Sequence, residues 1–173
     1  MQFKKPIFWD KKFSVWKYLL LPLSYIYFFL SKINFKKKYT VNGVFSICVG
    51  NIYLGGTGKT PSCLLLKKIL ERLDIKSCFI KKNYSTQIDE QNLLSKYGDL
   101  FVEKIRLSAL INSKNQGYKV AIFDDGLQDK SINYNLKIIC FNSENFIGNG
   151  NLIPSGPLRE KISAVKNCDA VFL

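Results

Sequence analysis

Histidine is absent from all 173 residues of the chain. That removes a Ser-His-Asp triad, a Cys-His pair and any His-ligated zinc, and leaves a carboxylate, Lys, Tyr or Cys as the only available general bases. No two of the five cysteines (Cys48, Cys63, Cys78, Cys140, Cys168) are closer than 15 positions, so neither a zinc knuckle nor a CxxC redox pair can be built. Their odd number and apolar neighbourhoods fit buried free thiols in a reducing cytosol. Acid is scarce, with 13 Asp+Glu against 26 Lys+Arg. The longest apolar run, Tyr18–Leu30, has only 13 residues and contains Pro22 and Ser24, short of the roughly 20 that a spanning helix needs. What is present is the composition of a globular chain: 47% hydrophobic residues and a mean hydropathy of −0.02, at a length that suits one domain with an appendage.

The positive charge is concentrated at one end. Residues 1–40 hold nine lysines and one acid, Asp10, a net +8 of the total +13. The stretch VWKYLLLPLSYIYFFL at 15–30 is flanked by Lys4, Lys5, Lys11 and Lys12 before and Lys32, Lys36, Lys37 and Lys38 after. Aromatics at Trp9, Phe13, Trp16, Tyr18, Tyr25 and Tyr27 complete the pattern of a helix lying in a headgroup zone. Anionic lipid would add about 1 kcal/mol per nearby Lys. The alternative is a helix packed into the core. Nucleic acid is not expected, since stacking surfaces and recognition helices are not built around LLLPLSYIYFFL. The segment 1–40 is therefore read as a membrane-associated N-terminus and 41–173 as the main domain.

From Val44 the chain changes character. Val44–Val49 reads as a buried strand ending at Gly50, followed by Gly55-Gly56-Thr57-Gly58-Lys59-Thr60 and a helical pattern over Thr60–Leu73. Strand, glycine-rich loop closing in Gly-Lys-Thr, then helix is the context of a Walker A loop. Its backbone N–H groups cradle phosphate, Lys59 reaches the β- and γ-phosphates, and Thr60 offers a hydroxyl to Mg²⁺. The full pattern has Gly at the position of Tyr53, so the match is to the GGTGKT variant.

A second strand is expected at Ser77–Ile80 and a third at Lys119–Phe123, the latter running into Asp124-Asp125-Gly126. An apolar strand ending in Asp, downstream of a P-loop, is the Walker B arrangement, with Asp124 and Asp125 as oxygen ligands for Mg²⁺ directly or through water. Further strands at Leu136–Phe141 and Ala170–Leu173, and a helical region at Glu90–Ser113, predict an α/β fold: a P-loop NTPase-like parallel sheet flanked by helices. Asn83–Ile88 and Asp129–Asn135 read as loops.

Four strings in order resemble one family, the tetraacyldisaccharide 4′-kinases of lipid A biosynthesis. Val49–Pro61 is similar to the family P-loop. Pro6-Ile7-Phe8-Trp9 and Leu20–Tyr27 resemble its N-terminal membrane helix, and Asp124-Asp125-Gly126-Leu127-Gln128 its DDGFQH. Gly148-Asn149-Gly150 with Leu152–Glu160 resembles its GNGxLLPAGPLRE. The resemblance implies transfer of phosphate from MgATP to the 4′-hydroxyl of a tetraacyl-glucosamine disaccharide 1-phosphate, at the cytoplasmic face of the bacterial inner membrane. Through the family's Asp-Glu-Pro motif it also implies that Asp89 is the base on the sugar hydroxyl and Glu90 a Mg²⁺-associated carboxylate. From the residues alone, Asp89-Glu90 reads equally as the charged first turn of a helix. Arg159 reads either as a phosphate contact or as a salt bridge to a neighbouring acid.

Three departures stand out. Asp129 occupies the place of the histidine that ends DDGFQH, and Lys81-Lys82-Asn83-Tyr84 that of Ser-Arg-Gly-Tyr. The resemblance also implies a smaller second domain, with a histidine assisting the catalytic Asp, beyond residue 173, on the same or a separate polypeptide. The rival readings are a nucleotide- or lipid-binding chain without turnover and a membrane-associated P-loop ATPase of the partitioning type. The latter carries a Lys where Leu54 stands.

Overall fold

The structure, a computed structural model, describes residues 5–11, 13–33, 37–84 and 87–173. Lys4, Lys12 and Lys36 of the basic segment, and the side chain of Lys32, lie outside that description. Helix α1 covers Val15–Ile33. The strands are β1 (Phe45–Gly50), β2 (Ser77–Lys82), β3 (Leu100–Glu103), β4 (Val120–Asp124), β5 (Leu136–Cys140) and β6 (Ala170–Phe172). Helices α2 (Lys59–Arg72), α3 (Ile88–Ser95) and α4 (Arg106–Asn115) connect them.

All six strands are parallel, in the order β3-β2-β4-β1-β5-β6. This is the α/β sheet expected from the sequence. The central strands are apolar almost without interruption, as parallel strands covered on both faces must be: every residue of β4 is buried, and all of β1 beyond Phe45. The two-residue period sorts their side chains between layers. Cys48, Cys78, Ile80, Ala121 and Phe123 pack on one face with Ala109 and Leu110 of α4. Ile47, Val49, Phe79, Val120 and Ile122 pack on the other with Cys63 of α2 and Leu94 of α3. By the same alternation Asp124 and Lys81 fall on the α2 face.

One expectation is corrected. The stretch Glu90–Ser113 is not a single helical region but two helices with strand β3 between them. Tyr97-Gly98-Asp99 breaks the helix, and Leu100-Phe101-Val102 is an apolar aromatic and β-branched triplet that pairs with β2 from Phe79↔Leu100 onward. Cys48, Cys63, Cys78 and Cys140 are buried free thiols as expected, while Cys168 is only half-buried.

Helix α1 packs on the segment after β5. Its half-buried or buried positions are 17, 20, 21, 24, 27, 28 and 31, a single stripe at helical spacing. Beside Leu20, Leu21 and Phe28, that stripe makes polar contacts. Ser24 Oγ donates to the Leu152 carbonyl (2.9 Å) and accepts from the Ser155 N–H (3.0 Å), and Tyr27 OH donates to the Arg159 carbonyl (3.0 Å). Upstream, Trp9 is buried and its Nε1–H donates to the Pro154 carbonyl at 3.0 Å. The Trp9 carbonyl lies so near Gly148, at φ +58°, that a Cβ there would sit 2.8 Å from it. The two strings Pro6–Trp9 and Gly148–Glu160, far apart in sequence, thus form one packed unit.

Candidate nucleotide site

The site lies where the strand order reverses, at the carboxyl ends of β1 and β4 flanked by β2 and β5, the crevice in which open parallel sheets bind ligands. Strand β1 delivers the chain into the loop 51–58, and α2 begins at Lys59. Gly58 caps α2 in the left-handed region (φ 76°), a conformation that a side chain would strain.

A buried side chain that sequence reading passed over shapes the loop. Asn51 is fully buried, and its Nδ2 donates to the Tyr53 carbonyl (2.6 Å), the Gly55 carbonyl (3.2 Å) and Thr57 Oγ1 (2.9 Å). Its own carbonyl accepts from Gln128 Nε2 at 2.9 Å, tying the loop to the turn after β4. Tyr53, in the place of the expected glycine, is buried with Ile52, Phe141 and Leu158, so it anchors the loop's entry rather than flexing it.

The P-loop side chains meet the tandem aspartates, which have separate partners. Asp124 is fully buried, and its Oδ2 accepts from Thr60 Oγ1 at 3.2 Å and from Lys81 Nζ at 2.5 Å. Its buried Oδ1 has no hydrogen-bond partner among the described residues. Asp125, at a positive φ of 61°, turns to the cations: Lys59 Nζ lies 3.8 Å away, and Arg159 Nη1 is 3.2 Å from both carboxylate oxygens. Burial alone would raise the Asp125 carboxyl, but Lys59 and Arg159 outweigh it and hold the group below the ordinary carboxylate value. Arg159 thus forms a salt bridge with Asp125 and also donates to Gln128 Oε1 at 3.4 Å. Arg106 is a further functional candidate with no sequence motif to mark it. It is buried, donates to the Asp125 carbonyl at 2.5 Å and lies 3.6 Å from Asp129.

Glu90 joins the cluster through Lys81 Nζ, 2.5 Å from its Oε2. Asp89 does not: it is exposed in the first turn of α3 and makes no hydrogen bond or ion pair among the described residues. Gly55, Gly56 and Thr57 lie in the loop, with Thr57 buried and Gly56 open to space on its Cβ side. The donor set suits Mg²⁺, with hard oxygens from Thr60 and an orphaned buried carboxylate oxygen on Asp124. Among the described residues no group of three or more His, Cys, Asp or Glu could hold a metal by itself, so phosphate oxygens would have to complete any coordination.

A cavity of about 740 Å³ opens from Asp125 and Arg159 toward α1, walled by Arg106, Lys82, Tyr27 and Phe28 among others. A profile of the Tetraacyldisaccharide-1-P 4'-kinase (LpxK) family matches residues 16–173. The chain belongs to this family. It is 53% identical, over its whole length, to the Tetraacyldisaccharide 4'-kinase of Pelagibacter ubique (strain HTCC1062), and covers 55% of that protein. Against the enzyme of the same description from Rickettsia canadensis (strain McKiel) it is 33% identical, with 97% of this chain and 57% of that one covered. The crystal structure of "apo" form LpxK from Aquifex aeolicus in complex with ATP superposes with a TM-score of 0.75 at 25% identity, over 90% of this chain and 57% of that one. The chain thus spans little more than half the length of the family members it matches.

Asn51 holds the phosphate loop without itself being placed to touch a ligand. Asn51→Ala is expected to weaken binding of a fluorescent ATP analogue about tenfold, the worth of one or two lost buried hydrogen bonds, while circular dichroism stays that of the native chain.

Proposed function

We propose that the chain is the nucleotide-binding half of a tetraacyldisaccharide 4′-kinase, transferring the γ-phosphate of ATP to the 4′-hydroxyl of a tetraacyl-glucosamine disaccharide 1-phosphate. The observation that carries this reading is the cavity that runs from Asp125, the partner of Lys59, to α1. One end holds Asp125, paired with Lys59 and Arg159, and the other is walled by a helix whose outer face is apolar. A kinase of soluble nucleotide and amphiphilic acceptor needs both ends in one cleft. The ATP-bound relative of the same fold supports placing nucleotide at Gly55–Thr60.

In this reading the loop N–H groups and the α2 N-terminus bind the β- and γ-phosphates, and Lys59 leaves Asp125 for the γ-phosphate as charge moves onto it. Mg²⁺, held by Thr60 and Asp124, would supply charge neutralisation at the phosphates. Glu90 is the outlying carboxylate of that set. Asp89 is the base on the acceptor hydroxyl, on the helical turn it shares with Glu90. Lys82, Arg106 and Arg159 give the cleft the positive charge that an anionic sugar phosphate requires.

Helix α1 is the membrane contact. Among the described residues no helix is long and apolar enough to cross a bilayer. Yet Trp16, Leu19, Leu23, Ile26, Phe29 and Leu30 are all exposed by half or more, while Ser24 is the one buried position among the described side chains of the helix. A helix that buries serine and exposes tryptophan and leucine is turned toward a second apolar medium. This supports reading the chain as peripherally bound at the cytoplasmic face of the inner membrane, with the remaining half of the family's length supplied in the same or another polypeptide.

Transfer of labelled γ-phosphate from MgATP to the tetraacyl disaccharide 1-phosphate in mixed micelles, with protein in excess, tests the reading. A bis-phosphorylated product lost in both Lys59→Ala and Asp89→Ala is expected. ATP binding without any product would favour the binding-only alternative. Separately, the chain should sediment with vesicles containing anionic lipid. The double variant Ile26→Glu/Phe29→Glu should lose this by well over tenfold, since each buried apolar side chain contributes about 1.5–3 kcal/mol.

A further inference from the structure

Lys81 is the most buried lysine described, with 2% of its surface exposed, and neither the phosphate loop nor the acceptor cleft accounts for it. It stands at the end of β2, where the register Phe79↔Ile122 and Ile80↔Phe123 continues to set it beside Asp124. Its ammonium lies 2.5 Å from Asp124 Oδ2 and 2.5 Å from Glu90 Oε2. These are two of the carboxylates assigned above to Mg²⁺. A compact, strongly hydrated point charge such as an ammonium is the side chain closest in character to a small hard cation.

We propose that Lys81 is a tethered cation that occupies the Asp124–Glu90 pair in place of a free divalent ion, so that the nucleotide-free site does not take up Mg²⁺ on its own. This rests on the reading of the P-loop cluster as a Mg²⁺–nucleotide site. With Lys81 present the two carboxylates and the ammonium sum to a single negative charge. Without it they sum to two, a stronger attraction for a divalent ion between the buried Asp124 and the half-exposed Glu90. Asp124 Oδ2 is already shared by Lys81 and Thr60, and Oδ1 is the acceptor left open. One carboxylate oxygen and one hydroxyl are too few ligands to dehydrate Mg²⁺. The ion then enters with the phosphates, and Lys81 sets that order by bridging the two carboxylates and halving their charge beforehand.

The test is Mn²⁺ binding to the full chain without nucleotide, read by the loss of the free-ion electron paramagnetic resonance signal. Lys81→Met keeps the apolar stem and removes the charge. It should bind one Mn²⁺ about tenfold or more tightly than the unmodified chain, with the gain abolished by adding Asp124→Asn. Equal binding by the unmodified chain and Lys81→Met overturns the proposal. If Lys81→Met does not fold, the unmodified chain decides the matter alone: an Mn²⁺ site that is lost in Asp124→Asn overturns it, and the lack of one supports it. A parallel titration with a fluorescent ATP analogue separates the two claims. Failure to bind nucleotide with or without Mg²⁺ sinks the nucleotide reading, whereas the Mn²⁺ comparison still decides the role of Lys81.

Discussion

A carboxylate buried at the end of the central strand organises the site. Asp124 has no exposure to solvent, and an ionised group so placed must be compensated by charge and hydrogen bonds or the strand would not close. Its partners come from three elements: Thr60 from the first turn of α2, Lys81 from the end of β2, and Glu90 behind Lys81 from α3. Parallel registration of β1, β4 and β2 brings these elements to one edge of the sheet. Removing a single member of the buried Asp124–Lys81 pair typically costs about 3–5 kcal/mol, so the requirement to satisfy Asp124 holds the first turn of α2 and the end of β2 against β4. Asp125, one residue on, is turned by its positive φ toward Lys59 and Arg159 and serves the other side of the cleft.

The second constraint is the exposed apolar face of α1. An ordinary surface helix buries its leucines and exposes its serines. Here the docked face joins the segment after β5 through Ser24, Tyr27 and backbone carbonyls, and the aromatic and aliphatic face is left outward. Polar docking fixes the orientation of the helix, so the same rotation that seats Ser24 presents Trp16, Ile26 and Phe29 together. Lys161, whose ammonium lies 3.9 Å from the centre of the Phe28 ring, closes the edge of the cleft beside it. The membrane reading and the catalytic reading therefore share a wall, Tyr27 and Phe28, between the apolar face and the phosphate cluster.

Much of this was legible in the residues. Period-two apolar strands, a glycine loop ending in Lys-Thr, and tandem aspartates after Phe123 are local signals that sterics and burial translate directly into structure. Strand β3 was not legible, because a four-residue strand between two helices has no period long enough to read and takes its identity from pairing with β2. Asn51, Arg106 and Lys81 were equally hidden. Arg106 and Lys81 reach partners 19 and 43 positions distant, and the Asn51 side chain acts on carbonyls and a hydroxyl of its own loop, contacts that no spacing in the sequence announces. The separate duties of Asp124 and Asp125 also lie below sequence resolution, since a backbone φ decides them. Asp89 remains where the residues alone put it, in the charged first turn of a helix, and its assignment as base rests on the family.

The account's central claim is that the Gly55–Thr60 loop and Asp124 form one nucleotide and metal site. A crystal structure of the full chain grown with a non-hydrolysable ATP analogue and Mn²⁺ tests it most directly, the ion being located by its anomalous signal. The account predicts phosphates on the loop N–H groups with Lys59 drawn onto them, and the anomalous peak bound by Thr60 and the open oxygen of Asp124. Nucleotide elsewhere on the chain, or an ion bound away from Asp124, would contradict it.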